Sequence, residues 1–209
     1  EAGRRRDRRR ARQRRRFPLV RRRAGSDADA VAGIVARHDL PPGYQSEYNP
    51  RSAARMRELG GWLARGAAFV VDYGYPPAEY YHRERDSGTL TCFFRHVAHH
   101  DPLVLTGIRD ITAHLDFTAL AGAARSAGLD VLGYTSLAAF WWGRDSLTSS
   151  PRRSSTPAEQ LALANEVKRL TLPSEMGELF KVLVVGRGVA RAPSAFARGD
   201  RSASLWGAA

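Results

Sequence analysis

The sequence predicts an α/β domain in which helices cover both faces of a sheet, behind a disordered N-terminal tail. Beyond residue 25, segments with helical periodicity alternate with apolar runs of strand length, a pattern typical of layered α/β domains. The 209 residues, 43% of them hydrophobic, suffice for one domain with a sizeable core. The last twenty residues are mostly small or basic and are expected to fray. The predicted divisions are a tail at 1–25, a body at 26–190 and a frayed end at 191–209.

Capping signals mark the predicted helices. A capping box at 156–159, with Pro157 at the first helical position, predicts a helix to Leu170. Asp116 or Thr112 can cap another helix further upstream. Further helices are predicted at 26–37, at 51–66 and, briefly, at AAFWW, and a flexible linker is predicted at 148–157.

Three strands are predicted, at AAFVVDYG (67–74), LDVLGYTS (129–136) and LFKVLVVGRG (179–188). The first lacks polar alternation, which predicts a parallel strand that is covered on both faces. Asp72 lies at its carboxyl end, where ligands of open α/β sheets bind. The segment 73–110 is predicted to be irregular, and loops of this length are usually functional.

Nearly all of the net charge lies at the start of the chain. The formal charge is +12, and residues 1–23 contain 13 arginines against Glu1 and Asp7, so the remainder is almost neutral. Such a run repels itself and buries nothing, which predicts disorder. Three interpretations stay open: an arm for nucleic acid or acidic surfaces, a targeting segment, or a shifted reading frame in a GC-rich gene. The count of 31 arginines against 2 lysines favours a GC-rich source.

Other features narrow the cellular setting. Cys92 is the one cysteine, so no intrachain disulfide can form. No apolar run reaches the roughly 18–20 residues that span a bilayer, and no hydrophobic segment follows the basic run to make a secretory signal. We therefore expect no membrane association, and a location in the bacterial cytoplasm, or in the mitochondrion if the chain is eukaryotic.

Histidines and carboxylates cluster between residues 82 and 116. Such a set suits zinc or iron, but HVAHH (96–100) places its histidines on one face only in a helix, and Pro102 follows at once. The alternative is that these side chains hydrogen-bond loop backbone, so no metal is assigned. The chain contains no Walker loop, G-x-G-x-x-G or G-x-S-x-G motif, so nucleotide binding and nucleophilic hydrolysis lack their usual signals.

Three carboxylates are candidates for chemistry. Asp72 suits acid/base or ligand-orienting work at a strand end, and the alternative is a cap on the next turn. Glu175 and Glu178 stand just before the last strand. Paired carboxylates match the geometry of a guanidinium, so the two can grip a cationic substrate; the alternative is ordinary solvated glutamates.

Four longer strings carry a resemblance to a known family. They occur in the order DYGYPPAEYYHRERDSGTLTCFFRH, DPLVLTGIRDITAHLDFTAL, AGLDVLGYTS and LTLPSEMGELFKVL. Together they resemble the carboxyl-terminal half of the MidA family of S-adenosylmethionine-dependent methyltransferases, from about residue 40 to about residue 188. That family includes the mitochondrial complex I assembly factor with protein-arginine methyltransferase activity, and many bacterial relatives.

The resemblance implies a partial class I methyltransferase fold, a Rossmann-like sheet with one antiparallel strand, in which FVVDYG is the fifth strand and the other two strands are the last. It implies S-adenosylmethionine as cofactor and a protein arginine as substrate. The oligomeric state stays open, with a homodimer as one arrangement. The catalytic residues it implies are Asp72, His114 and Glu175. The implied cofactor-binding residues are Asp72, Tyr73, Gly74 and Tyr75, and the implied substrate-binding residues are His82, Thr89, Arg95, Asp110, Asp116 and Glu178.

The sequence also departs from the family. The glycine-rich cofactor loop and the acidic residue that closes the second strand are expected upstream and are absent, and Leu137 stands where the family usually has Gln. We therefore expect a truncated member with little or no cofactor affinity and an unpaired sheet edge that favours aggregation. Two alternatives stay open: a non-catalytic α/β binding module with a basic arm for nucleic acid or an acidic partner, and a metal-dependent hydrolase built on the histidine cluster.

Overall fold

Residues 25–95, 97–143, 156–197 and 199–207 are described by a computed structural model. They divide into two units, the first formed by the described residues of 25–41 and 90–112 and the second by those of 42–89 and 113–207. The predicted tail and the predicted linker lie almost entirely outside the described residues.

The described residues form both helices and strands. The helices are α1 Ala28–His38, α2 Pro50–Trp62, α3 Pro77–Tyr80, α4 Phe117–Ser126, α5 Leu137–Trp142, α6 Pro157–Thr171 and α7 Met176–Leu179, with 3-10 turns at Arg83–Arg85, Ser194–Phe196 and Ser202–Trp206. The strands are β1 Gly66–Tyr75, β2 Thr91–Phe94, β3 Val97–His99, β4 Asp110–Thr112, β5 Leu115–Asp116, β6 Asp130–Ser136 and β7 Phe180–Arg187.

The second unit contains a four-stranded sheet of order β5-β1-β7-β6. Strand β7 runs antiparallel to both β1 and β6, whereas β5 is parallel to β1. Phe69 pairs with Val184, so the predicted first and last strands share this sheet. Because β1 and β6 are both antiparallel to β7, their carboxyl ends, at Tyr75 and Ser136, lie at the same edge.

Helices pack on both faces of this sheet, as the sequence predicts. On one face, α2 and α4 pack Met56 and Phe117 against Leu183 of β7. On the other, α5 and α7 pack Leu137 and Met176 against Val182 and Val184, with Phe196 beside them. These two apolar clusters hold the carboxyl edge of the sheet in place.

Strand β1 corrects one expectation. It is not covered on both faces, because Phe69 and Val71 are 53% and 48% exposed and alternate with more buried residues. It is also mainly antiparallel, since its parallel pairing with β5 is confined to Gly74 and Tyr75. Among the described residues, residues 66–73 pair with β7 along one edge of β1 and with no strand along the opposite edge. The burial of β1 is therefore incomplete.

Two predicted helix starts are confirmed. The Asp116 carboxylate accepts the Ala119 amide at 2.9 Å and caps α4. The Thr156 hydroxyl accepts the Glu159 amide while the Glu159 carboxylate accepts the Thr156 amide, which completes the capping box of α6. In both cases the cap satisfies amides that the helix itself leaves unpaired.

The first unit contains α1 and a three-stranded antiparallel sheet of order β3-β2-β4. Cys92 of β2 is fully buried between His99 of β3 and Ile111 of β4. The expectation that 73–110 is irregular is therefore wrong for the residues that form β2, β3 and β4. Strands of three or four residues are too short to show a period-two pattern, so only their pairing with one another defines them.

The carboxyl-terminal segment also corrects an expectation. Within 191–209, Ala195, Phe196 and Leu205 are buried, and the Asp200 carboxylate accepts the Tyr134 amide of β6 at 3.0 Å. The described part of this segment is not frayed, because its few apolar side chains complete the two clusters beside the sheet. No helix in the described ranges is both long enough and apolar enough to span a membrane.

Candidate functional site

The carboxyl edge of β1 collects aromatic rings around His114. Tyr73 lies with its ring centroid 4.1 Å from that of Phe180 and 6.3 Å from that of His114. The Tyr75 ring lies 5.0 Å from the His114 ring, in an edge-to-face arrangement. The register of the sheet produces this cluster, because Tyr73 pairs with Phe180 and Tyr75 pairs with Asp116, two residues after His114.

Gly74 allows β1 and β5 to approach each other. A Cβ atom at this position would lie 2.2 Å from the Leu115 carbonyl oxygen and 2.8 Å from the Phe117 ring. The space that a side chain at Gly74 would need is therefore occupied by Leu115 and Phe117. This residue contributes to the site by bringing Tyr73, Tyr75 and His114 together.

The fold positions His114 through hydrogen bonds of its backbone amide and carbonyl, and these bonds do not involve its ring. Its amide donates to the Thr89 hydroxyl at 3.0 Å and its carbonyl accepts the Tyr80 hydroxyl at 3.3 Å. Burial, and next the Arg85 guanidinium, lower the pKa of His114 from its ordinary value of 6.5. The imidazole is therefore neutral at pH 7, the form that can accept a proton.

Asp72 lies on the strand that carries the tyrosines. Its Oδ1 atom accepts the amide of Tyr73 at 2.8 Å, and its cross-strand neighbour is Lys181. The Asp72 charge lies near enough to His114 to influence the pKa of that histidine. Asp72 and His114 thus lie at the same end of the sheet, and the catalytic roles predicted for them stay predictions.

Glu47 supports the site from the loop before α2. Its carboxylate accepts the Thr89 amide at 2.9 Å and the Thr89 hydroxyl at 2.8 Å. Gly88 precedes Thr89 with φ at +81°, and a Cβ atom there would lie 2.4 Å from the Glu47 carboxylate. Glu47 thus fixes the turn that holds His114, a contact that sequence reasoning missed.

Asp116 and Tyr81 form a second support. The Tyr81 hydroxyl donates to Asp116 Oδ2 at 3.2 Å, while Oδ1 of the same carboxylate caps α4. Burial, and then the charge of Asp116, raise the pKa of Tyr81. Both oxygens of Asp116 are thus engaged within the fold.

Glu178 is bound by an arginine of the chain itself. Its carboxylate accepts the Arg201 guanidinium at 3.1 and 3.4 Å and the Ser136 hydroxyl at 2.9 Å. Burial opposes ionisation, but the hydrogen bonds of Arg201 and Ser136 hold the pKa of Glu178 below its ordinary value. Glu178 therefore joins the carboxyl-terminal segment to the end of β6, and its substrate role stays a prediction.

Four predicted site residues remain. Glu175 is exposed at the start of α7, with no side-chain hydrogen bond to any described residue. His82 is also exposed, and its Nδ1 accepts the Glu84 amide at 3.3 Å. Arg95 and Asp110 belong to the first unit, where Arg95 lies over the Phe94 ring and Asp110 begins β4. Roles for these four residues stay predictions.

The histidine cluster does not form a metal centre within the described residues. No group of three or more His, Cys, Asp or Glu side chains is arranged there to hold an ion. His96 lies outside the described residues. Within the described ranges, nothing supports a metal-dependent hydrolase.

A comparison with family models identifies this chain's relatives. Residues 8–135 match the model of a family described as "Putative S-adenosyl-L-methionine-dependent methyltransferase". No curated protein matches the chain.

Two crystal structures of Burkholderia thailandensis proteins are similar to this chain. One is the native structure of an uncharacterized protein, 45% identical, with a TM-score of 0.78 over 90% of this chain and 49% of the other. The second is bound to S-adenosyl-homocysteine; it is also 45% identical, with a TM-score of 0.75 over 90% of this chain and 47% of the other. This chain thus spans about half the length of the proteins it resembles. The family match covers more than half of the sequence, and the chain belongs to this family of S-adenosyl-L-methionine-dependent methyltransferases.

Proposed function

We propose that this chain forms the acceptor-binding part of a methyltransferase that acts on an arginine side chain of a protein. The observation that carries the proposal is the stacking of the Tyr73 ring on a neutral His114 at the carboxyl edge of β1, the strand that also bears Asp72. When bound, S-adenosylmethionine would supply the methyl group. The contribution of this chain is to hold and orient the nitrogen that receives it.

His114 and Asp72 suit complementary parts of this task. A guanidinium nitrogen that gains a methyl group must lose a proton, and a neutral imidazole can accept it. The Oδ2 atom of Asp72 has no hydrogen-bond partner among the described residues, so it can accept an N–H of the acceptor and orient it. The ring of Tyr73 is partly exposed beside them and can stack on a planar guanidinium.

The described residues do not complete a cofactor site. S-adenosylmethionine needs groups for its ribose hydroxyls and its amino-acid moiety, typically a carboxylate and backbone amides. At this edge the Asp116 carboxylate is fully engaged and Gly74 is packed against β5. The greater length of the similar Burkholderia thailandensis proteins is consistent with a cofactor-binding part outside the described residues.

Methyl transfer in trans tests the proposal. This chain would be mixed with the part of the S-adenosyl-homocysteine-binding relative that it does not match, with methyl-labelled S-adenosylmethionine and with arginine-containing peptides. We expect labelled peptide only when both polypeptides are present, and a loss of at least about tenfold with His114→Gln. Asp86→Asn, an exposed change outside the site, is the control and should keep the activity of the unchanged chain. Labelling that His114→Gln leaves intact, or no labelling of any arginine peptide, would overturn the proposal.

Residues 1–23 favour a second candidate function, a binding module with a basic arm. Their 13 arginines suit nucleic acid, because each arginine that neutralises a phosphate releases a counterion. Binding to duplex DNA and to RNA would be measured between low and high salt, with and without these residues. A steep salt dependence that disappears with the deletion would support this function, and weak binding that the deletion leaves unchanged would exclude it.

A further inference from the structure

Two cationic side chains lie over the ring of Tyr75. The Arg85 guanidinium is 4.2 Å from the ring centroid, and the Lys181 ammonium is 5.2 Å from it. The two cations come from distant parts of the chain, a 3-10 turn and the second residue of β7. The fold therefore places two positive charges next to one aromatic ring at the carboxyl edge of β1.

Neither cation has a carboxylate partner within 4 Å in the described part of the chain. Lys181 is only 4% exposed, and its ammonium donates to the Glu178 carbonyl alone. An ammonium has three donors, so two of them have no partner among the described residues. Burial lowers the pKa of Lys181, and the Glu178 carboxylate offsets part of that effect. A buried, incompletely bonded cation is costly unless an anion meets it.

Two of the nearby carboxylates are already engaged. Glu47 accepts the amide and the hydroxyl of Thr89, and Glu178 accepts Ser136 and Arg201. Asp72 bonds the Tyr73 amide through one oxygen. These anions, together with Glu79, reduce the positive electrostatic potential around Lys181. None of them pairs directly with Arg85 or Lys181.

We propose that the cationic pair over Tyr75 is a subsite for an acidic side chain of the protein acceptor, adjacent to the arginine that is methylated. The arginine in this statement rests on the proposed function, whereas the anion rests on the Tyr75 cluster itself. A lone guanidinium that enters this edge meets Arg85 and Lys181, whose positive charges oppose its entry. A carboxylate one or two residues away satisfies the cations and makes the entry of the guanidinium favourable.

Three fluorescent peptides of one sequence test this subsite. The first has a central Arg flanked by Glu, the second replaces each Glu with Gln, and the third keeps Glu but replaces the Arg with Gln. Binding to the full chain would be measured by fluorescence anisotropy at physiological salt. We expect the Gln-flanked peptide to bind about tenfold more weakly than the Glu-flanked one, as for the loss of a charge-assisted hydrogen bond.

Variants of the two cations locate the effect. Arg85→Gln and Lys181→Met should each abolish most of the preference for Glu over Gln. Arg83→Gln removes an equal charge from the same 3-10 turn but not from the Tyr75 ring, and should keep the preference. Attraction by the arginines of residues 1–23 is common to all these variants, so it cancels in the comparison. Circular dichroism confirms that each variant is folded, and Arg85, which is partly exposed, gives a second test if Lys181→Met does not fold.

The outcomes separate this subsite from the proposed function. Equal binding of the Glu- and Gln-flanked peptides, or a preference that both variants retain, would overturn the subsite. If the peptide without the central Arg binds as tightly as the first and depends equally on Arg85 and Lys181, the anion subsite stands and the arginine acceptor is wrong.

Discussion

The Glu47 carboxylate accepts both the amide and the hydroxyl of Thr89, and the amide reaches both carboxylate oxygens. The same Thr89 hydroxyl accepts the His114 amide at 3.0 Å. A loop that precedes α2 thus controls the position of the imidazole. The contact spans 42 residues of sequence, so it ties two distant segments together.

Glu47→Gln should weaken this connection measurably. The substitution replaces one acceptor oxygen with a donor, which leaves a nearly buried Thr89 group without its partner. We expect the free energy of unfolding to fall by about 1–3 kcal/mol. Urea denaturation followed by circular dichroism provides the measurement. Glu58→Gln, an exposed change in α2, is the control, and an equal effect of the two substitutions would mean that the Thr89 contact contributes little.

Gly74→Ala should be among the most damaging small substitutions in the chain. The added methyl group would meet the Leu115 carbonyl at 2.2 Å, and backbone cannot move away as a flexible side chain can. We expect a loss of about 3 kcal/mol in the free energy of unfolding. Gly122→Ala adds the same methyl group in the interior of α4, where nothing lies within 4 Å, and should stabilise the chain by about 1 kcal/mol. A similar effect of the two substitutions would contradict the packing of β1 against β5.

The long elements of the fold could be predicted because their signals are local. The apolar run of β7 and the capping box of α6 lie within a few residues of sequence, and both are confirmed. The cluster at the carboxyl edge was predicted only in part. Asp72 follows from its place at a strand end, and His114 from the family resemblance.

The remaining features depend on pairings between distant residues. Nothing in the LPPGYQSEYNP loop indicates that Glu47 meets Thr89, and nothing near Lys181 indicates that its ammonium reaches Tyr75. The exposed face of β1 was missed because an unbroken apolar run cannot show which side lacks a neighbour. The carboxyl-terminal segment was predicted to fray because its residues are mostly small, although Leu205 is fully buried.

The stability of the chain should depend on pH through His114. Its folded pKa lies below the ordinary value of 6.5, so below about pH 6.5 the unfolded chain gains a proton more readily than the folded chain. The contribution of His114 to the free energy of unfolding is fully present above that pH and is lost as the pH falls toward the folded pKa. His114→Gln keeps both backbone hydrogen bonds and removes the titration.

We therefore expect the unchanged chain to lose more stability than His114→Gln between pH 7 and pH 5. Urea denaturation at several pH values measures the difference. The lowered pKa of Glu178 acts near and below its ordinary value of 4.5, so it contributes mainly outside this window and equally in both chains. An equal or steeper loss in the variant would show that His114 is not held neutral by the fold.

Leu205→Ala tests whether the carboxyl-terminal segment belongs to the core. The Leu205 side chain is fully buried and packs with Phe117 and Tyr134, and the Leu205 carbonyl accepts the Thr118 hydroxyl. Removing three carbon atoms from such a site leaves a cavity, so we expect a loss of about 3 kcal/mol in the free energy of unfolding. Leu161→Ala makes the same change at a side chain of α6 that is 64% exposed, and should have almost no effect. If both substitutions are equally mild, the segment does not pack on the sheet in solution. The Glu178–Arg201 contact, which depends on the same packing, would then be absent, and Glu178 would be available for the substrate role that the sequence predicts.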